Sequence, residues 1–122
     1  MNNENTANKK FRKELKSGTV SLVLLSILNR SEDPLYGYEI TKNIDSSLAG
    51  TFRMGQGALY PVLRSLEKSG LLSSRVEPSV SGPPRRYYRI TGMGSETLGN
   101  WTEMWIKTRD FVDDILKGND DV

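Results

Sequence analysis

The stretch that most constrains the fold is residues 55–72, GQGALYPVLRSLEKSGLL. Its apolar residues recur at helical spacing and its polar residues lie opposite them, which predicts one amphipathic helix. Gly70 ends this helix, and the residues that follow begin to alternate as in a strand. A polar helix with basic residues towards its end, entered through a Gly-rich turn and followed by a basic strand pair, is typical of a DNA-reading second helix of a helix-turn-helix. An ordinary amphipathic surface helix is the alternative interpretation of this stretch alone.

Two details of the predicted helix qualify its start. Pro61 lies in the second turn, where its missing N–H and its ring disturb the helical hydrogen bonds, so we expect a bend or a late start. Residues 54–56 contain no Ser, Asn or Asp, so the first turn is expected to be loose or capped by backbone. The apolar face holds Leu59, Val62, Leu63 and Leu66, and the free face holds Gln56, Tyr60, Arg64, Ser65 and Lys68.

A β-hairpin follows the helix. Residues 71–77 and 85–91 alternate apolar or aromatic with polar residues, and they flank the Gly/Pro-rich loop 78–84. This pattern predicts a wing over residues 71–91. The arginines on or beside it are Arg75, Arg85, Arg86 and Arg89.

Two further helices precede this unit. Residues 17–29 are apolar around much of a helical circumference, which predicts a buried central helix. The next helix is expected to start near Leu35 and to end near Leu48, with a cap at residues 49–50 and Phe52 filling the core beyond it. Gly37 lowers helix propensity by roughly 1 kcal/mol relative to Ala, so we expect a closely packed partner there.

The last helix, which reaches about Lys117, carries an apolar seam spaced as in a heptad repeat. This seam has more apolar surface than one neighbouring helix needs, which predicts self-association, with packing inside the protomer as the alternative. The seam residues are Leu98, Trp101, Trp105, Thr108, Val112 and Ile115.

Composition excludes several classes of chemistry. The 122 residues include no cysteine and no histidine, so disulfides, thiolate or imidazole metal sites and Ser-His-Asp or Cys-His nucleophiles cannot form. We expect no enzyme activity, no metal and no cofactor. No apolar run reaches the roughly 18 residues that a membrane span needs, so no membrane partner is expected and the predicted location is cytoplasmic.

Charge divides along the chain. Residues 1–91 hold 14 Lys or Arg against 8 Asp or Glu, whereas residues 92–122 hold 3 against 7. The first part suits a polyanion. We therefore divide the chain into a disordered N-terminus with a basic arm (1–16), a winged helix-turn-helix (17–91) and a dimerisation helix (92–122). The arm either follows DNA phosphates or is a solvated helix extension; its cations are Lys9, Lys10, Arg12, Lys13 and Lys16.

Three motifs in order carry a resemblance. Residues 36–40 (YGYEI), 57–72 (GALYPVLRSLEKSGLL) and 82–91 (GPPRRYYRIT) resemble the PadR family of bacterial and archaeal transcriptional regulators. The resemblance covers nearly all of the chain from Ser17 onward. It implies a mainly α fold with a small β-hairpin, in which a winged helix-turn-helix precedes a long C-terminal dimerisation helix.

The resemblance also implies a function. Members act as homodimers whose recognition helices enter successive major grooves of a pseudo-palindromic operator, and they repress a nearby gene until a ligand binds. The single C-terminal helix is similar to that of the smaller subfamily. In its drug-responsive members a tryptophan at the dimer interface stacks on planar aromatic compounds; Trp105 matches that position, and Trp101 lies one turn earlier. Packing within the dimer core is the alternative role for both.

Residue types suggest how DNA is contacted. Amide and guanidinium groups can pair with purine edges, so Gln56, Tyr60 and Arg64 are candidates for contacts to bases or next to them. Other cations fix register on phosphates without reading sequence. The phosphate candidates are Lys68, Lys42, Arg75, Arg85 and Arg86. A winged helix that binds only proteins is the competing interpretation.

Overall fold

The computed structural model describes residues 5–47 and 53–118. It is mainly helical with a small antiparallel sheet, which confirms the predicted winged helix-turn-helix followed by a long C-terminal helix. The elements are α1 Thr6–Arg30, β1 Leu35–Tyr36, α2 Gly37–Ser47, α3 Gln56–Lys68, β2 Leu72–Glu77, β3 Arg85–Ile90 and α4 Gly92–Gly118. The predictions for Leu48, Phe52 and the cap at residues 49–50 lie outside the described residues. Within those residues, no helix combines the length and the hydropathy needed to cross a membrane.

Helix α1 begins within the segment that was expected to be disordered, while residues 1–4 lie outside the described residues. It starts at Thr6, capped by the side chain of Asn5, whose Oδ1 accepts a hydrogen bond from the Asn8 N–H at 2.7 Å. It then continues without a break to Arg30, so the basic arm is the exposed first half of one long helix. Extending an existing helix costs little once a buried turn has nucleated it, which explains why polar residues continue the apolar half.

The core lies where α1, α2, α3 and the sheet meet. Successive turns of α1, α2 and α3 supply aliphatic side chains, and β3 supplies Tyr88, which is only 1% exposed. Leu98 of α4 is also buried here, so it belongs to the protomer core and not to the exposed seam in which it was predicted. The helical core residues are Val20, Leu24, Leu25, Ile27, Leu28, Ile40, Ile44, Leu59, Leu63, Leu66 and Leu98.

A short first strand was missed in the sequence. Leu35 and Tyr36 pair with Tyr88 and Tyr87 of β3, which gives the sheet order β1-β3-β2. Helix α2 therefore starts at Gly37, two residues later than predicted. The Glu39 side chain fixes this start, because its Oε1 accepts a hydrogen bond from the Tyr36 N–H at 3.1 Å.

Helix α3 begins and ends through backbone groups. Its N-cap is Gly55, without a side-chain cap, as predicted; the Gly55 carbonyl accepts from the N–H groups of Ala58 and Leu59. The helix starts at Gln56 and includes Pro61, so the start is not late. At its end Gly70 adopts φ +85°, a conformation that favours glycine and turns the chain into β2.

The start of α4 is closely fitted to the base of the wing. The Thr91 hydroxyl donates to the Gly70 carbonyl at 2.8 Å and accepts from the Gly94 N–H at 2.9 Å. A Cβ atom on Gly94 would lie 2.1 Å from the Leu71 carbonyl oxygen. The backbones of α4 and the β2 entrance therefore touch directly.

Candidate nucleic-acid interface

The outer face of α3 carries three of the predicted DNA-contacting residues. Gln56, Arg64 and Lys68 are all exposed, while the opposite face is buried in the core. Lys68 lies in the last turn. A cationic and amide-bearing surface is thus held on a helix whose other side is fixed by packing.

Tyr60 is placed differently from its neighbours on α3. It is half-buried and packs against the core. A Cβ atom built on Gly37 would lie 2.5 Å from the Tyr60 hydroxyl oxygen, so Tyr60 is the close partner that the sequence led us to expect for Gly37. The Tyr60 hydroxyl also donates to Oε1 of Gln56 at 3.3 Å. Tyr60 therefore lies between α3 and α2, behind the exposed face.

The arginines of the wing divide between its two faces. Side chains alternate along a strand, so Arg86 shares a face with the buried Tyr88, whereas Arg85 and Arg89 share the other face with Tyr87. Arg75 joins this second group, because it pairs in register with Tyr87. The cations that were predicted as one set therefore form two.

A polar chain links Arg86 to α3. Its guanidinium donates to the Ser74 hydroxyl at 2.9 Å, and that hydroxyl donates to the Glu67 carboxylate at 2.8 Å. Burial raises the pKa of Tyr88, while the positive charges of Arg86 and Arg64 act in the opposite direction. The hydrogen-bonded chain therefore ties the wing to the turn of α3 that carries the exposed Arg64 and Lys68.

Arg85 rests on aromatic rings that the sequence prediction overlooked. Its guanidinium carbon lies 4.4 Å from the ring centroid of Tyr36. The Tyr36 ring meets Tyr87 edge-on at 5.4 Å and stacks near Tyr38 at 6.3 Å between centroids. A hydrogen bond with Tyr87 raises the pKa of Arg85, and the electrostatic effect of Tyr36 adds to it. The signal was present in the YGY and YYR runs, which face each other once β1 pairs with β3.

The remaining two phosphate candidates differ in their surroundings. Arg75 forms an ion pair with Glu77 on the same strand, and this pair is largely exposed. Lys42 is exposed on α2 and lines an open groove with Tyr36 and Tyr38. Lys42 therefore lies near the aromatic support of Arg85, whereas part of the Arg75 charge is offset.

A separate groove of about 540 Å³ runs between the first half of α1 and the middle of α4. Trp101 is half-buried against the core, and Trp105 is 38% exposed. Both predicted ligand-binding tryptophans therefore face one space. The lining is completed by Phe11, Glu14, Leu15, Gly18, Thr19, Ser21, Leu22, Met104 and Thr108.

Comparison with known proteins agrees with this architecture. Residues 24–100 match the Transcriptional regulator PadR-like family. A PadR family transcriptional regulator from Eggerthella lenta superposes with a TM-score of 0.77 at 32% identity, covering 91% of this chain and 93% of that one. A transcriptional regulator from Clostridium thermocellum gives 0.73 at 31% identity, covering 83% and 93%.

A curated relative shares part of this sequence. The transcriptional regulator YqjI of Escherichia coli is 37% identical over 81 residues, which are 66% of this chain and 36% of that protein. A winged helix-turn-helix with an exposed basic helix is the DNA-binding unit of such regulators. The family match, the superpositions and the fold agree, and the chain belongs to the PadR-like family of transcriptional regulators.

Proposed function

We propose that this protein is a homodimeric repressor that binds a pseudo-palindromic operator and releases it when a planar aromatic effector binds. The observation that carries the DNA-binding part is the hydrogen-bonded chain from Arg86 through Ser74 to Glu67, which ties the wing to α3. That chain holds Arg86 of the wing beside the turn of α3 that exposes Arg64 and Lys68, so the cations of both elements can meet one polyanion.

The proposed roles follow from exposure and chemistry. Gln56 and Arg64 reach base edges in the major groove, and Tyr60 acts next to them. The other cations bind phosphates and fix the register of the protein on the duplex. Of these, Arg75 contributes least because Glu77 offsets its charge. The phosphate set is Lys68, Lys42, Arg75, Arg85 and Arg86.

The homodimer is supported by apolar surface that the protomer does not cover. From Thr102 to Lys117 every residue of α4 is exposed. A contiguous apolar stripe of this length on a water-exposed helix marks an interaction surface. In the proposal a second copy covers it, using the seam residues Trp105, Thr108, Val112 and Ile115 together with Met104, Phe111 and Leu116. Trp101 contributes from the edge of the core.

The effector is proposed to occupy the groove between α1 and α4. Indole rings offer flat apolar surfaces for stacking. Among the described residues that line the groove, Glu14 is the only ionisable side chain, so a planar aromatic compound with positive charge fits better than an anionic one. Titration with planar cationic dyes should quench tryptophan fluorescence, and Trp105→Leu should remove most of the quenching. Absence of quenching by high micromolar dye argues against an effector here and leaves DNA binding untouched.

A mobility-shift assay at 50 and 200 mM salt tests the DNA-binding proposal. Its duplexes are promoter fragments from either side of the gene that encodes this protein. We expect one fragment to bind more tightly than random DNA, with affinity for both falling steeply as salt rises. Sedimentation of the free protein should give a dimer. If no duplex shifts even at low salt, the DNA-binding proposal fails, and contact with an acidic protein is then the second candidate function.

A further inference from the structure

The hydroxyl of Tyr60 connects two residues with different roles. It donates to Oε1 of Gln56 at 3.3 Å, and it lies against the backbone of Gly37 on the neighbouring helix. Gln56 and Tyr60 are four residues apart on α3, so their side chains meet on adjacent turns. The exposed Gln56 amide is thus hydrogen-bonded to the Tyr60 phenol, which is itself packed against Gly37.

The space that holds the Tyr60 side chain beside Gly37 is narrow. A Cβ atom on Gly37 would lie 2.5 Å from the hydroxyl oxygen and 2.9 Å from Cζ of the ring, distances at which one group must move. The ring also packs against the hydrophobic core. Glycine at position 37 therefore leaves the space in which the Tyr60 hydroxyl can reach Gln56.

The contact uses one of the two lone pairs of the Gln56 Oε1 atom, so it biases which end of the amide is available to a base. A glutamine side chain has one acceptor oxygen and an NH2 group with two donors. A free glutamine pairs bidentately with adenine by using both ends, as acceptor towards N6 and donor towards N7. When Oε1 is held by the Tyr60 hydroxyl, Nε2 is directed away from the phenol. Guanine presents two acceptors, N7 and O6, in the major groove and matches such a donor.

We infer that Tyr60 is a positioning residue for DNA specificity, holding Gln56 as a hydrogen-bond donor so that this position of the operator favours guanine over adenine. The inference rests on the proposed DNA-binding function. It assigns Tyr60 no contact with DNA of its own.

The experiment is a selection from a randomised duplex library with the wild type, Tyr60→Phe, Gln56→Ala and the double variant. The wild type should favour guanine at one position of each half-site by about 10-fold over adenine. Tyr60→Phe keeps the ring and removes the hydroxyl, so the preference should fall to about threefold or less, with adenine gaining. Gln56→Ala should lose the preference, and Tyr60→Phe should add nothing in that background.

A second variant approaches the same contact from α2. Gly37→Ala displaces the hydroxyl, so it should shift the base preference in the same direction as Tyr60→Phe. Thermal unfolding is the fold control: Tyr60→Phe should change the midpoint by no more than about 4 °C.

Two results overturn the inference while leaving DNA binding intact. One is an unchanged guanine preference in Tyr60→Phe. The other is a further loss of affinity, beyond about threefold, when Tyr60→Phe is added to Gln56→Ala, since Tyr60 would then contact DNA directly. If the wild type enriches no sequence at all, the proposed function fails and the inference fails with it.

Discussion

The guanidinium carbon of Arg85 lies 4.4 Å from the ring centroid of Tyr36, so a cation of the wing rests on an aromatic face supplied by another strand. Tyr87 contacts the same ring edge-on and holds it in place. A cation over a ring face is attracted by the ring quadrupole and loses part of its rotational freedom before it meets any ligand. Arg85 is therefore oriented in the free protein.

The first prediction concerns this orientation. Tyr36→Leu should weaken binding to operator and random duplexes alike, by about threefold, because Arg85 loses its aromatic support but keeps its charge. Tyr36→Phe preserves the ring face and should bind like the wild type. Fluorescence anisotropy on both duplexes measures the effect. A Phe variant as weak as the Leu variant would show that the ring face is irrelevant.

Arg64 and Arg85 should differ in what they contribute. Arg64→Ala should lower operator affinity by roughly 1 to 3 kcal/mol and relax specificity, since the proposed interface assigns the exposed Arg64 to base edges. Arg85→Ala should weaken all duplexes equally and reduce the slope of log affinity against log salt by about 1. Binding isotherms at several salt concentrations separate the two. Wild-type behaviour of both variants on operator and random DNA contradicts the proposed interface.

Two glycines of α4 form a matched pair for stability. A Cβ atom on Gly94 meets the Leu71 carbonyl oxygen at 2.1 Å, whereas one on Gly99 meets nothing within 4 Å. Gly94→Ala should lower the free energy of unfolding by about 1 to 3 kcal/mol through overpacking. Gly99→Ala should raise it by up to about 1 kcal/mol through helix propensity. Urea unfolding checks both, and a Gly94→Ala variant of wild-type stability would contradict the close approach.

The exposed seam of α4 makes the proposed dimer testable. Ile115 is 58% exposed in the protomer. A charge buried at a dimer interface without a partner is costly, so Ile115→Asp should weaken dimerisation by at least about 30-fold. Asn100→Asp places the same charge at an exposed polar position and should leave the dimer intact. Sedimentation velocity over a dilution series distinguishes them; a dimeric Ile115→Asp variant places the interface elsewhere.

The raised pKa of Tyr88 predicts how the free energy of unfolding changes at alkaline pH. Burial raises the pKa of Tyr88 above its ordinary value of 10.0. The folded protein then holds this proton more tightly than the unfolded chain, so its contribution is fully present below pH 10 and is lost as pH rises through the folded pKa. In Tyr88→Phe, this part of the fall in the free energy of unfolding at alkaline pH should be absent. Urea unfolding between pH 8 and 11 measures it. An unchanged pH profile contradicts burial as the cause.

Local patterns predicted the helices and the wing well. The apolar spacing around Leu59 and Leu63 identified α3, and of the two alternatives for its first turn, loose or capped by backbone, the structure has the backbone cap. Gly37 also indicated a closely packed neighbour, and the structure identifies Tyr60 as that neighbour. These features depend on residues near one another in sequence, or on a position that lacks a side chain, such as Gly37.

Long-range pairing could not be inferred in the same way. Leu35 and Tyr36 form a strand only because the edge of β3, far along the chain, is free to pair with them. Tyr60 lies at the border of the apolar and polar faces of α3, so helical spacing alone did not decide which way its ring turns. The wing arginines alternate by rule, but the face directed to α3 is decided by the burial of Tyr88.

The direct backbone contact between Gly94 and Leu71 has a mechanical consequence in the proposed dimer. With no side chain between them to deform, the wing base must follow α4 when that helix tilts. A helix of 27 residues is about 40 Å long, so a tilt of about 5° at one end sweeps the other by about 3.5 Å. In the proposed dimer, an effector that slightly changes the crossing angle of two α4 helices would therefore displace the wings by several ångströms. The displacement is transmitted because the backbone at Gly94 contacts Leu71 directly.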